Sequence, residues 1–491
     1  MAAKQREGVV VEPYCRLTES QVKLVDGVSR DLLQDPGLLC YNERAAAVFR
    51  RAGAGVDDAD GCVRLRVPPS IIDRVIGTAP SCITLGARDP DNRLVLDAAE
   101  PRVRFGSGSE TNIWLEVSFE DGRARFKRLN GSVELLRRAA HLCEHLEHLD
   151  FFIRCVNIRD EEVTAENKDV NKYLASLDNI TKHVQAGLTD LNALDDVLRV
   201  GEIVAGGASA FRENPVLSFI TCVVKSPLQM VDDTASKLIA MSERRAPVVV
   251  SSSPMGGATA PFDEFGMVAQ INAEILAGVA LNQLVAPGAP VMYGSVPVRT
   301  RLDNLNDMYG APEFNHYHLD CAQMARFYGI PCYSTAGVGD AEVPGIQATA
   351  EKMLTFMSVP WSGAQYVHYA FGLLERTNTF CPEQAVMDDA HIGIVKHALR
   401  SPDVRADQVG AVVEMVREVM ATDHRTYIYH LPLPSREPAY VSYPLESEGG
   451  ALLAAHRRCR EIDELPRKRL PAETRKELLV RVPGVLPQAM N

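Results

Sequence analysis

From residue 151 onward, short apolar or β-branched runs alternate with amphipathic segments that end at Pro or Gly. The runs begin at Phe151 (FFIRCVN), Lys182 (KHVQAG), Pro215 (PVLSFITCVV), Ala246 (APVVVSSS), Pro290 (PVMYGSV), Ile330 (IPCYST) and Ala364 (AQYVHYAFG). Their starts lie about 30–45 residues apart, the length of one strand plus one helix. Between them, Val268, Ile271, Ile275 and Val279 form one helical stripe, and Leu191, Leu194, Val197 and Leu198 form another. Runs that are apolar without alternation belong to a parallel sheet covered on both faces. The pattern predicts an α/β chain, a TIM (β/α)8 barrel, with Arg425–His430 (RTYIYH) as the eighth strand. No GxGxxG follows the first run, which argues against a dinucleotide-binding sheet.

Residues 1–150 read differently. Helical patterns over Gln21–Leu33 and Asn42–Ala52 precede Pro68-Pro69, and a hairpin-rich stretch then runs from Ser81 to Phe126. The expected organisation is an N-terminal α+β elaboration (1–150), a barrel carrying the active site (151–430) and a C-terminal helical wrap (431–491), charge-dense from Arg457 to Lys476.

Charge narrows the function classes. The 491 residues hold 52 Lys plus Arg against 64 Asp plus Glu, a net charge of −12, which argues against a nucleic-acid partner. The 11 cysteines are scattered without a CxxC pair, the usage of free thiols in a reducing cytoplasm. The longest apolar segment, Ile271–Met292, is interrupted by Asn272, Glu274, Asn282 and Gln283, so no membrane span is expected.

In a barrel, chemistry sits at the C-terminal ends of the strands. Those ends are rich in neutral polar and aromatic residues and poor in the paired carboxylates a glycosidase needs. The densest stretch is GAQYVHYAFG, 363–372. Strand alternation puts Tyr366, His368 and Ala370 on one face and Val367, Tyr369 and Phe371 on the other. Such residues read either as packing aromatics or as a box for an onium cation. The Gly256, Gly257 and Thr259 loop brings backbone close to a ligand, and Arg299 is placed either to meet a carboxylate or to form a structural ion pair. His316 and His318 lack a third ligand nearby, so no metal site is expected. Cys222 and Lys225 have no base paired with them in sequence. The stretch Asp389-Ala390-His391-Ile392-Gly393 falls one residue short of a corrinoid-carrying DxHxxG and has a helical context.

Five stretches in order resemble the trimethylamine methyltransferase family: APSCITLGARDPDNRLVL (79–96), GSGSETNIW (106–114), residues 256–295, residues 322–356 and FCPEQAVMDDAHIGIVKHALR (380–400). The resemblance implies a TIM barrel that moves a methyl group from a methylated amine to the Co(I) centre of a separate, cognate corrinoid protein, with no cofactor bound by this chain. No pyrrolysine occurs in the sequence, which matches the non-pyrrolysine branch and points to a quaternary amine such as glycine betaine. Alternatives are a tertiary amine or other methylated metabolite, or a non-catalytic barrel that binds quaternary amines. Strand-end logic selects Tyr366, His368, Tyr369 and Phe371 as cage residues, with Tyr293, Tyr333 and Trp114. It gives His368, Arg299 and Asn112, or the 256–259 turn, to a substrate carboxylate. The expected partners are the amine, the corrinoid protein and further copies of the chain.

Overall fold

The computed structural model describes residues 5–402, 404–429, 445 and 449–490. Eight parallel strands, each followed by a helix, organise it. The strands are β1 (Arg102–Phe105), β2 (Phe151–Ile153), β3 (His183–Gly187), β4 (Leu217–Cys222), β5 (Val248–Ser252), β6 (Val291–Ser295), β7 (Cys332–Thr335) and β8 (Tyr366–His368). The helices that follow them are α1 (Val133–Glu144), α2 (Ala165–Leu177), α3 (Leu194–Ala205), α4 (Asp232–Glu243), α5 (Glu264–Val285), α6 (Pro312–Tyr328), α7 (Ile346–Trp361) and α8 (Pro382–Leu399). The sheet is nine-stranded, in the order Val9–Val10, β1, β8, β7, β6, β5, β4, β3, β2. Val9–Val10 is antiparallel to β1. The sheet curls strongly: Gly106, at the end of β1, makes a parallel bridge to Phe151 of β2, and the Asp150 N–H donates to the Phe105 carbonyl at 2.7 Å.

The seven apolar runs coincide with β2 to β8. The remaining parallel strand is β1, which comes from within residues 1–150 rather than from Arg425–His430. Tyr427–Tyr429 is a single 3-10 turn, and His430 lies outside the described residues. Arg102–Phe105 does not read as a core strand because two of its four residues are arginines, yet Arg104 is fully buried. Its guanidinium donates to the Arg6 carbonyl (3.1 Å), the Val95 carbonyl (3.0 Å) and Gln5 Oε1 (2.7 Å). Burial pushes it down to about 10, and these acceptors satisfy donors that would otherwise be costly to bury.

Buried apolar residues form four clusters, of which two organise the sheet. Outside the curl, the sheet meets the helices, and α5 is the most enclosed of them. Asp263 caps it by accepting from the Gly266 N–H. It is long and apolar enough to cross a membrane, but 89% of its apolar window is buried in the fold, and apolar residues all round mark a core helix as well. Inside the curl, Phe151, Ile153, Val249, Met292, Tyr333 and Tyr366 form a second cluster with Ile83, Leu85, Leu94 and Leu96. The last four belong to the hairpin Cys82–Leu85/Leu94–Asp97. This hairpin lies at the starts of the strands: Cys82, Ile83 and Thr84 line one cleft with Pro215, Pro247 and Pro290.

After α8 come helix α9 (Gln408–Met420) and helix α10 (Ala451–Asp463). Helix α10 is tied to α8 by the His456–Glu383 pair at 2.8 Å. Farther on, Arg469 pairs with the buried Asp178 at 3.0 Å. The segments 430–444 and 446–448 lie outside the described residues.

Gly106 is a close-approach position: a Cβ there would sit 2.1 Å from the Phe151 ring. Replacing Gly106 with Val should therefore lower stability by about 2–4 kcal/mol, the range for forced overpacking plus backbone movement. Urea denaturation monitored by circular dichroism checks this, and a midpoint equal to wild type would contradict it.

Candidate active site

The candidate site lies where the strands end. At β8, Tyr366 points into the curl and stacks on Phe151, with ring centroids 3.5 Å apart and planes 11° from parallel. His368, two residues on, faces the same way. Tyr333 pairs with Tyr366 across β7 and β8, and Thr335 pairs with His368, so both partners converge on the imidazole. Tyr333 Oη lies 2.6 Å from His368 Nδ1, and Thr335 Oγ1 lies 2.6 Å from Nε2. Burial holds the Tyr333 hydroxyl far above its ordinary range, so it stays protonated, and each ring nitrogen of His368 has one hydroxyl partner. Burial, with His318 nearby, holds His368 well below the ordinary histidine range, and the imidazole is neutral.

Tyr369 breaks the alternation that the sequence suggests. Its φ is +68°, a left-handed value that side chains rarely adopt. That turn leaves Tyr369 beside His368, with ring centroids 3.8 Å apart, and packed against the interior cluster. Phe371 instead joins the outer core with Val367. The loop is clamped by Asp388, which accepts from the Gly372 N–H at 2.8 Å and pairs with Lys352 at 3.0 Å, both side chains fully buried. Gly108 makes room, since a Cβ there would lie 2.7 Å from the Tyr369 ring. Ser109 (φ +69°), Leu305 (+58°), Glu375 (+50°) and Arg376 (+63°) are further left-handed residues in the strand-end loops. Such strain persists where surrounding structure enforces it, commonly at functional sites.

Around Tyr369 the strand ends supply Cys222 from β4, Ser251 from β5, and Asp307 and Tyr309 from the loop after β6. Cys222 is solvent-exposed, yet burial pushes its thiol up. The sulfur thus lies at the surface with protein crowded around it. Its Sγ is 3.0 Å from Ser251 Oγ. Burial pushes Tyr369 up to about 12, with Cys222, Ser109 and Asp307 among the groups it senses. Asp307 is raised by burial and by Asp340, with Arg376 opposing. The result is a pocket of neutral hydroxyls, a neutral imidazole and a thiol, with one Asp and one Arg at its edge.

Several residues named from sequence sit elsewhere. Tyr293 faces outward into the main core, where its Oη donates to Asn272 Oδ1 at 2.9 Å. Its position on β6 points it at α5, opposite to Met292 in the interior cluster. Trp114 packs on Phe380 at 5.5 Å and under Arg138 at 5.4 Å, lining a separate groove with Glu383 and His456. Asn112 is engaged with Asn378 and Asn157, each at 3.3 Å. Arg299 donates to the Phe262 carbonyl (2.6 Å) and to Tyr317 Oη (3.1 Å) while stacking on Phe262 at 3.4 Å, which fixes the local sheet rather than presenting a free cation. Gly256 bridges to Arg299, and Thr259 Oγ1 accepts from the Met255 N–H at 2.9 Å. Gly257 has φ +97°. His316 pairs with Glu264 at 2.9 Å, and His318 Nδ1 lies 3.0 Å from Ser334 Oγ.

Sequence reading missed Asp307, Tyr309, Arg376, Ser109 and Phe151. Only Phe151, opening the first apolar run, carried a signal, and that signal spoke of packing.

Buried neutral histidines set a pH dependence. Burial lowers His183 to about 4 and His318 to about 3. The unfolded chain takes up protons below the ordinary value of about 6.5, while the folded chain does not until those lower values. Stability is therefore full above about pH 6.5 and falls as pH drops toward 4. Urea midpoints measured across that range should decline, and His183→Gln should flatten the slope.

Comparison with known proteins places these features. The profile of the trimethylamine methyltransferase family (MTTB) matches residues 4–430. The trimethylamine methyltransferase MttB of Methanosarcina barkeri (strain Fusaro / DSM 804) is 28% identical over 409 residues, covering 82% of this chain and 79% of that one. The glycine betaine methyltransferase of Desulfitobacterium hafniense (strain Y51) is 27% identical over 418 residues, covering 85% and 84%. The crystal structure of the Methanosarcina barkeri monomethylamine methyltransferase (MtmB) aligns over 93% of this chain and 96% of that one, with 12% identity and a TM-score of 0.46.

Proposed function

Because the chain belongs to the trimethylamine methyltransferase family, we propose that it transfers a methyl group from a quaternary amine, glycine betaine or a close relative, to the Co(I) centre of a cognate corrinoid protein. The architecture we propose for it is a (β/α)8 barrel, supported by the Gly106–Phe151 bridge between the outer parallel strands. The observation that carries the functional reading is the uncharged strand-end cluster of Tyr369, Tyr333 and His368, which reaches the surface at Tyr369 and at the neighbouring Cys222. Each aromatic face attracts a desolvated onium cation by about 0.5–2 kcal/mol.

A quaternary ammonium already carries its leaving group, so the transfer needs no acid at the nitrogen. The chain's residues have to strip water from the cation and aim one methyl toward the mouth. Tyr369 supplies an aromatic face, backed by the buried Tyr333, and Cys222 adds an uncharged wall, backed by the buried Ser251. His368, held neutral between Tyr333 and Thr335, does not repel the cation. Arg376 is the guanidinium placed to read a carboxylate, in competition with Asp307. The corrinoid supplies a strongly nucleophilic cobalt that accepts the methyl. This chain does not fit as its carrier, since His391 is buried within α8 and Asp389 is occupied by the His148 N–H at 2.8 Å.

A second reading, a tertiary amine, is favoured by Asp307. A carboxyl near Tyr369 can accept a hydrogen bond from the N–H of a trialkylammonium, a bond that a quaternary amine has no proton to make.

The test is incubation of the purified chain with its cognate corrinoid protein in the Co(I) state and a panel of methylated amines, following loss of the Co(I) absorbance. Glycine betaine or a related betaine should discharge the signal, and Tyr369→Ala should raise KM by about 2- to 30-fold. Arg376→Gln should raise KM for a betaine but not for tetramethylammonium, which has no carboxylate. Response to trimethylamine alone supports the second reading, and response to none overturns both.

A further inference from the structure

Helices α7 and α8 deliver one buried ion pair beneath the turn that carries Tyr369. On α7, Lys352, Thr355 and Phe356 fall three and four residues apart and share a face, and all three are fully buried. That face meets Gly337, two residues past β7. The Gly337 carbonyl accepts from Lys352 Nζ, and its N–H donates to Thr355 Oγ1 at 2.8 Å. A Cβ at 337 would stand 2.3 Å from the Phe356 ring and 2.8 Å from Ala370 Cα. The Gly337 turn therefore presses on the residue that follows Tyr369.

On α8, Gln384 and Asp388 are one turn apart, and Gln384 Nε2 donates to Asp388 Oδ1 at 2.9 Å. Asp388 Oδ2 accepts from Lys352 Nζ at 3.0 Å and also from the Gly372 N–H at 2.8 Å. One oxygen thereby ties the loop after β7 to the loop after β8. Neither charge reaches water, and each is tolerable only beside the other. Farther out, the loops have ties of their own: the Glu375 N–H donates to the Ala341 carbonyl at 2.7 Å and the Arg376 N–H to the Gly339 carbonyl at 2.9 Å. The reach of the pair is therefore the inner turn, where Tyr369 has φ +68° and Gly372 +75°. A tyrosine at such a φ is held against its own preference.

We propose that Lys352 and Asp388 are a positioning pair that holds the Tyr369 ring beside His368 and thereby sets the affinity for the amine cation. The substrate in this inference rests on the proposed methyl transfer, whereas the geometry does not. Both side chains act through the backbone of Gly337 and Gly372. Releasing Gly372 lets the turn relax and carries the ring away from the cation. Because the ring face attracts the cation before and during transfer alike, the loss falls on KM rather than on kcat.

The test uses the full chain with Asp388→Asn, and with K352M/D388N, which leaves no buried charge unpaired. Amide hydrogen exchange read by mass spectrometry should be about tenfold or more faster in peptides within 366–374 and unchanged within 375–380. KM for the amine that the wild type consumes should rise by about 2- to 30-fold, no further than Tyr369→Ala raises it, with kcat within about twofold. In the Tyr369→Ala background, Asp388→Asn should leave KM where it is. A pair that served the fold alone would lower kcat through the active fraction at constant KM. The proposal is overturned by unchanged exchange in 366–374, by an unchanged KM, by KM effects that multiply with those of Tyr369→Ala, or by loss of folded circular dichroism in both variants. A wild type that consumes no amine overturns the proposed reaction instead, and the exchange result then decides whether the pair holds the turn.

Discussion

The face-to-face contact between Phe151 and Tyr366 sets the terms for the rest of the molecule. The two rings come from β2 and β8, and they meet at 3.5 Å across the inside of the curl. They fit only because residue 106, on the strand between them, has no side chain. One contact thereby fixes how tightly the sheet curls and how high the apolar filling rises. Above that level Tyr333 and His368 are still buried, and the surface open to a ligand begins at Tyr369 and Cys222. Everything below it is packed against the Cys82–Asp97 hairpin.

The electrostatics of the pocket follow from the same packing. Burial drives each ionisable group toward its uncharged form, so tyrosines stay protonated, His368 stays unprotonated and Cys222 stays a thiol. A cavity built this way offers a cation no counter-charge in its depth, only ring faces and dipoles. Charge returns at the edge, where Asp307 and Arg376 oppose one another. On the proposed reaction, a neutral interior with a charged rim suits a substrate with an onium end and a polar end.

The sequence disclosed what physics writes as runs. Strands β2 to β8 are apolar throughout because both faces are covered, and helices α3 and α5 show their stripes or their full burial. Strand β1 was hidden because its central arginine looks like solvent-facing chain, and only the three-dimensional placement of the Arg6, Val95 and Gln5 acceptors makes it a core residue. Within the candidate site, Tyr366, His368, Tyr369 and Tyr333 were legible as an aromatic concentration at strand ends. The side each one faces was not, because the left-handed turn at Tyr369 brings its ring beside His368, while Phe371 stays in the outer core with Val367. Asp307, Tyr309 and Arg376 lie in loops whose course is set by contacts distant in sequence, so local pattern held no trace of them. Arg299 misled for the complementary reason: its neighbours in space, Phe262 and Tyr317, had already claimed it.

The hairpin that seals the strand-start end has a kinetic meaning. A cavity blocked at one end has a single doorway, and on the proposed reaction the small molecule and the bulky methyl acceptor must share it. The amine has to be in place before the acceptor covers the opening, and the demethylated amine cannot leave until the acceptor departs. Turnover would then follow a compulsory order imposed by the plug itself.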